Sequence, residues 1–293
     1  MSKYTAIKQL IHSYLIQSLS IYTSNHHDSC IDEQKIPLYK GRDNNRVLYI
    51  SDIAIKLSKS HNRTPMEIAS GIASHLSATC GEVFSIQIVP PGSIYVELKP
   101  LLLAAWLQSI AIKSLGNEEE IGFPSGEQGQ IEEIAKRKIS LDNSERLFAV
   151  QYAHARCCSL VLLAHREGLI KLKNIKNLLA DTSENSQEQI PWLNHNYQMR
   201  LSHPAEGHLI AELVKVVDNL EFPHVNGFVN WEKAALDLSQ AFEVFWCKCR
   251  IWGNVKISSP ELAQARVGLM MATQSVLKFL LVNKLGILAP LEL

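Results

Sequence analysis

Apolar residues recur at three- and four-residue intervals at Ile7, Leu10, Ile11, Tyr14, Leu15 and Leu19. That spacing gathers side chains on one face and predicts a packed first helix. From Asn25 to Asn45 the text turns polar and irregular, with Pro37 and Gly41, and reads as a surface loop before order resumes around Arg46. Ile53, Ala54 and Leu57 predict a second helix. The third has a sharp start: Thr64 can cap it, Pro65 suits the first helical position, and Glu67 can reach back to the cap. Ile68, Ile72, His75 and Leu76 then supply its buried stripe.

The period next changes from helical to alternating. Phe84, Ile86 and Ile88 precede Pro90-Pro91-Gly92, and Ile94, Val96 and Leu98 follow it, which predicts two half-buried strands and a short turn. Pro100 opens a further helix through Leu101, Leu102, Ala105, Trp106 and Ile110. Residues 1–112 therefore form an α+β domain. Residues 113–130 collect Gly116, three consecutive glutamates from Glu118, Gly122, Pro124, Gly126 and Gly129, and read as a linker. Long helical patterns fill residues 131–293, which predict an all-α helical bundle.

A chain of 293 residues accommodates two such domains. Its 29 lysines and arginines balance 29 aspartates and glutamates, so no general basic footprint exists and any nucleic acid must be held by a local patch. The first twenty residues carry charge throughout, unlike a secretory signal, and no sustained apolar span is read, so a protein without membrane insertion is expected. Six cysteines form no CxxC pair, which fits buried thiols in a reducing cytoplasm.

The run Val150-Gln151-Tyr152-Ala153-His154-Ala155-Arg156 resembles the helix that opens the DALR anticodon-binding domain of arginyl-tRNA synthetases. Ordered matches follow it. Glu206, Leu209, Leu213, Phe222 and Pro223 resemble the next paired helices; Leu238, Ala241, Phe242, Phe245, Cys249, Arg250 and Ile251 resemble an aromatic-rich helix ending in a cysteine-arginine pair. Ala265, Arg266, Leu269, Val276 and Leu277 fit the final long helix, and Leu285-Gly286-Ile287 leads to the Pro290-Leu291-Glu292-Leu293 tail. Residues 1–112 resemble the same enzymes' N-terminal additional domain through Asp52-Ile53-Ala54, the Thr64 to Ala69 helix start and the Val89 to Leu98 hairpin.

The resemblance implies an RNA-contacting set of Gln151, Tyr152, Arg156, Trp246, Arg250, Arg266 and the terminal Leu293, with Tyr95 as a secondary contact. Tyr152 and Arg156 are four apart and share a helical face. A phenol stacks on an unpaired base while a guanidinium takes phosphate; the alternative is that Tyr152 packs between helices and Arg156 pairs with a carboxylate. His154 reads as a satisfied core histidine. Trp246 and Cys247 replace the family's tyrosine and asparagine, and Ser93 and Tyr95 replace the aromatic and amide with which the family recognises the tRNA elbow.

The family's catalytic domain, with its HIGH-type and KMSKS-type sequences, has no counterpart between residues 112 and 150, and the linker is too short to hold a doubly wound domain. An enzyme is therefore not expected. His203, Glu206 and His208 crowd together, but Pro204 and Gly207 interrupt the helical pattern there. Cys247 and Cys249 lack the second ligand pair of a zinc site, so no metal and no cofactor are expected. Two functions remain open: a tRNA adaptor for which the arginine-accepting tRNA is the expected partner, or a protein-interaction scaffold that reuses the ancestral RNA face.

Overall fold

The computed structural model describes residues 6–26, 36–43, 46–59, 63–112, 141–172, 189–222 and 229–292. The expected linker and Leu293 lie outside the described residues. The chain divides into two compact units, one of Met1–Leu103 with Val214–Phe228 and one of Ala104–Leu213 with Val229–Leu293.

The first unit is α+β. Helix α1 (Ile7–His26) runs beyond the expected stripe, and α2 (Ile53–Ser58) and α3 (Pro65–Cys80) follow. Strands β1 (Tyr39–Lys40), β2 (Leu48–Ser51), β3 (Phe84–Val89) and β4 (Ser93–Leu98) form an antiparallel sheet in the order β1-β2-β4-β3. The expected start of α3 is present as a full capping box: the Glu67 amide donates to Thr64 Oγ1 at 3.3 Å and the Thr64 amide donates to Glu67 Oε2 at 2.9 Å. These bonds draw the Glu67 carboxyl below its ordinary pKa.

Ile11, Leu15 and Leu19 of α1, Ile68, Ile72 and Leu76 of α3, and Ile94, Val96 and Leu98 of β4 are buried. Each large aliphatic side chain removed from water in this way contributes about 1.5–3 kcal/mol. Strands β1 and β2 were not read from the sequence. In β2 consecutive residues Leu48 and Tyr49 are both buried, so the strand lacks the alternation that marks a half-exposed one.

Tyr49 ends in a polar contact within the core. Its hydroxyl donates to the Asp218 carboxylate through a short hydrogen bond, and the Lys8 amide donates to the other carboxylate oxygen at 3.0 Å. Burial pushes both the Asp218 carboxyl and the Tyr49 phenol above their ordinary pKa values. His12 lies 5.1 Å from the Phe222 ring. Through Asp218 and Phe222, the segment after residue 213 belongs to the first unit.

The second unit is helical. It contains the C-terminal part of α4 (Pro100–Ile112), α5 (Leu141–Arg166), the start of α6 (Pro204–Glu221), α7 (Trp231–Lys248), α8 (Asn254–Ser258) and α9 (Pro260–Phe279). A π-helical turn, Leu280–Lys284, follows α9, and Lys284 Nζ sits 5.1 Å from the Trp231 ring. Helix α5 packs on α7 and α9, and Val150, Cys157, Val161, Phe242, Phe245, Leu269 and Val276 of the three helices are buried.

Pro204 is the first residue of α6 and Gly207 lies inside it, so these residues start and continue the helix rather than interrupt it. Residues 147–166 and 260–284 have the length and apolar content of a membrane span, contrary to the sequence expectation. Within the bundle 50% and 72% of those windows are buried, the character of core helices.

A tight segment before α6 is anchored on α4 and α9. Trp192 Nε1 donates to Gln108 Oε1 at 2.7 Å, and the Ile190 amide donates to the same oxygen at 3.2 Å. A Cβ on Gly268 would stand 2.8 Å from both Ile190 and Trp192. Gln108 thereby places the end of α4 in the second unit.

Candidate nucleic-acid interface

Helix α5 has two unlike faces. Val150, Ala153, His154, Cys157, Cys158 and Val161 point into the bundle, whereas Phe148 and Tyr152 are 55% and 46% exposed and Arg156 is also exposed. Positions 148, 152 and 156 repeat every four residues, so they form one row along the helix. The Phe148 and Tyr152 rings stack with centroids 6.5 Å apart and planes 26° apart. The row thus begins as an apolar ledge and ends in a cation.

Helix α7 brings a tryptophan to that cation. Asn230 caps its start, accepting from the Lys233 amide at 2.9 Å, and Leu238, Ala241, Phe242 and Phe245 hold its buried side. This register turns Trp246 outward and half-exposed, with the Arg156 guanidinium 5.2 Å from its ring centroid. After Cys249 the chain turns, and Trp252 meets Trp246 edge-on at 5.8 Å.

Among the described residues no carboxylate pairs with Arg156, and no hydrogen bond occupies the Tyr152 hydroxyl. Tyr152 is exposed and Arg156 rests on the Trp246 ring. Stacked rings followed by an unneutralised guanidinium on an aromatic support provide surfaces for unpaired bases and a point for phosphate.

Gln151 and His154 serve a different purpose. Gln151 Nε2 donates to the Leu288 carbonyl at 2.9 Å. His154 Nδ1 lies 2.8 Å from the Pro290 carbonyl and Nε2 lies 3.1 Å from Gln274 Nε2. A neutral imidazole satisfies both contacts, donating at Nδ1 and accepting at Nε2, and burial holds its pKa below the ordinary value. The two side chains fasten residues 288–290 alongside α5.

Arg266 is a correction. It is 9% exposed, and its Nε donates to Oε1 of the fully buried Glu206 at 2.6 Å while a second nitrogen donates to the Arg250 carbonyl. Glu206 Oε2 also accepts the His203 amide at 2.8 Å, so one carboxylate caps α6 and neutralises α9. A buried carboxylate needs such a partner, which removes Arg266 from any RNA face. Arg250 itself is exposed and shares with Arg266 a backbone contact.

Burial among Glu206 and its surroundings also pushes the Cys249 thiol up to about 12, which makes it inert packing. Tyr95 belongs to the first unit, on β4, whereas the row on α5 belongs to the second. Phe148 and Trp252 were missing from the sequence reading. The first was available in the four-residue spacing with Tyr152; the second follows a chain turn and leaves no periodic signal.

The DALR anticodon binding domain model matches residues 150–293. The chain is 31% identical over 147 residues to the arginine--tRNA ligase of Synechococcus sp. (strain JA-3-3Ab), covering 48% of this chain and 21% of that protein. It is 29% identical over 160 residues to the arginine--tRNA ligase of Moorella thermoacetica, covering 53% and 23% respectively. The corresponding protein of Ruminiclostridium cellulolyticum is 31% identical over 153 residues, with 52% and 23% covered. The chain spans less than a quarter of the length of these relatives, from 21% to 23%. No solved structure matches it.

Proposed function

Because residues 150–293 match the DALR anticodon binding domain and the similar proteins are arginine--tRNA ligases, we propose that this chain binds a tRNA loop and holds it without aminoacylating it. The observation that carries the reading is the row of Phe148, Tyr152 and Arg156 with Trp246 beneath the guanidinium. Bases splayed from a single-stranded loop stack on the exposed rings, and Arg156 takes phosphate or a base edge. Gln151 acts indirectly by fastening the tail, and Arg250 extends the cationic edge beyond Trp246.

The zero formal charge fits local, loop-directed contact better than wrapping of the phosphate backbone. The absence from the sequence of HIGH-type and KMSKS-type motifs supports an adaptor acting where the ligase activity of the relatives would not be supplied by this chain. The arginine-accepting tRNA is the expected ligand, by analogy with the relatives' names.

A gel-shift titration with labelled arginine-accepting tRNA tests the reading against unrelated tRNA competitors. The unaltered chain is expected to bind in a salt-sensitive manner, and Tyr152→Ala with Arg156→Ala is expected to weaken binding at least about tenfold, the worth of one base stack. Circular dichroism checks that helical content persists. Absence of salt-sensitive binding, or equal binding by the folded double variant, would remove the proposed face.

A further inference from the structure

The sheet of the first unit has a second face, opposite its helix-packed side. Tyr39, Ile50, Tyr95 and Gln87 pair across β1, β2, β4 and β3, so their side chains form one row on that face. Tyr39 is 44% exposed, Gln87 is exposed, and Ile50 and Tyr95 are half-buried. Asp52 follows β2 on the same side, diagonal to both tyrosines.

Asp52 is placed unusually for its position. It stands at the N-cap of α2, where an aspartate ordinarily accepts a helix amide, yet its side chain makes no such bond. One carboxylate oxygen instead accepts from the Tyr39 hydroxyl at 2.5 Å and the other accepts from Ser93 Oγ at 2.6 Å. Among the described residues no cation pairs with this half-buried carboxylate. Nearby Arg46 is already engaged by Asp43 at 2.9 Å and Glu97 at 3.4 Å.

We propose that this sheet face docks an arginine-bearing peptide segment of a protein partner, with the guanidinium against Asp52, over Ile50 and flanked by Tyr39 and Tyr95. Ile50 stands between the two tyrosines, one strand spacing or about 4.8 Å from each, so a planar group lies over the Ile50 side chain and is flanked by the two rings. A guanidinium matches the oriented carboxylate oxygens and stacks on aromatic faces, as an ammonium does not. Asp52, with no cation beside it among the described residues, repels phosphate, so nucleic acid is the wrong occupant, and it also disfavours free arginine with its own carboxylate. The inference is independent of the RNA reading, which concerns the second unit.

The test is a titration of the full chain, observed through backbone amide NMR shifts at Tyr39, Ile50, Asp52 and Tyr95. The probes are N-acetyl-Gly-Arg-Gly-amide, the same peptide with citrulline for arginine, free L-arginine, and a single-stranded oligoribonucleotide. The arginine peptide is expected to shift these amides and the neutral citrulline peptide to bind about tenfold or more weakly, the scale of a charge-assisted contact. Asp52→Asn is expected to weaken the arginine peptide by a similar factor, and Tyr95→Ala, which leaves the Asp52 contacts in place, by about threefold. No shift with the arginine peptide at millimolar concentration, equal binding of citrulline, or full binding by both folded variants overturns the proposal. Stronger shifts from free arginine or from the oligoribonucleotide overturn the assignment to a protein partner.

Discussion

Removing the charge of Glu206 isolates the contribution of the buried ion pair that organises the second unit. Glu206 is fully buried and Arg266 is 9% exposed, with 2.6 Å between donor and acceptor. Charge centres about 4 Å apart interact by about 4 kcal/mol at an effective dielectric of about 20. Deleting one partner of a buried pair costs about 3–5 kcal/mol, because the other charge stays desolvated. Glu206→Gln preserves a side-chain acceptor for the His203 amide, so helix capping is largely retained. We expect it to destabilise the second unit by about 3 kcal/mol, and Arg266→Met to do so by a similar amount.

The double variant, Glu206→Gln with Arg266→Met, removes the stranded charge and is expected to fall short of the summed losses by at least about 2 kcal/mol. Urea unfolding followed by tryptophan fluorescence is the assay. All five tryptophans, Trp106, Trp192, Trp231, Trp246 and Trp252, lie in the second unit, so the signal reports that unit. Losses that add within about 0.5 kcal/mol would refute the coupling and with it the structural role of Arg266. Because the Glu206 side chain does not reach the exposed row on α5, tRNA affinity should be unchanged in Glu206→Gln wherever it remains folded.

Two further outcomes follow from the packing. The folded-state pKa of Asp218 is raised by burial, so its contribution to stability is full below the unfolded carboxyl pKa and is lost as pH rises through the folded value. Relative to the unaltered chain, Asp218→Asn should therefore gain stability with increasing pH above about 4, read by tyrosine near-ultraviolet circular dichroism; a constant difference across pH would contradict this. Gly268→Ala places a methyl 2.8 Å from Ile190 and Trp192 and should cost about 1–3 kcal/mol with altered Trp192 emission; unchanged stability would show that the segment yields freely.

Local chemistry was the part of the fold that the sequence exposed. Thr64, Pro65 and Glu67 announce a helix start because capping involves neighbours three residues apart, and Ile94, Val96 and Leu98 announce a strand because one of its faces is buried. Strand β2 was not visible because its tyrosine is buried by a partner 169 residues away. The candidate interface divided in the same manner. Tyr152 and Arg156 were legible from spacing on one helix, whereas the inward commitment of Arg266 depends on Glu206, 60 residues distant. A charged residue on a matching motif looks alike in sequence whether it faces water or a buried carboxylate.

The fastening of residues 288–290 by Gln151 and His154 has a practical corollary for anyone labelling this protein. A dye on a cysteine introduced at the exposed Leu288 would lie alongside the helix that presents Tyr152, so probes of ligand binding belong on other segments.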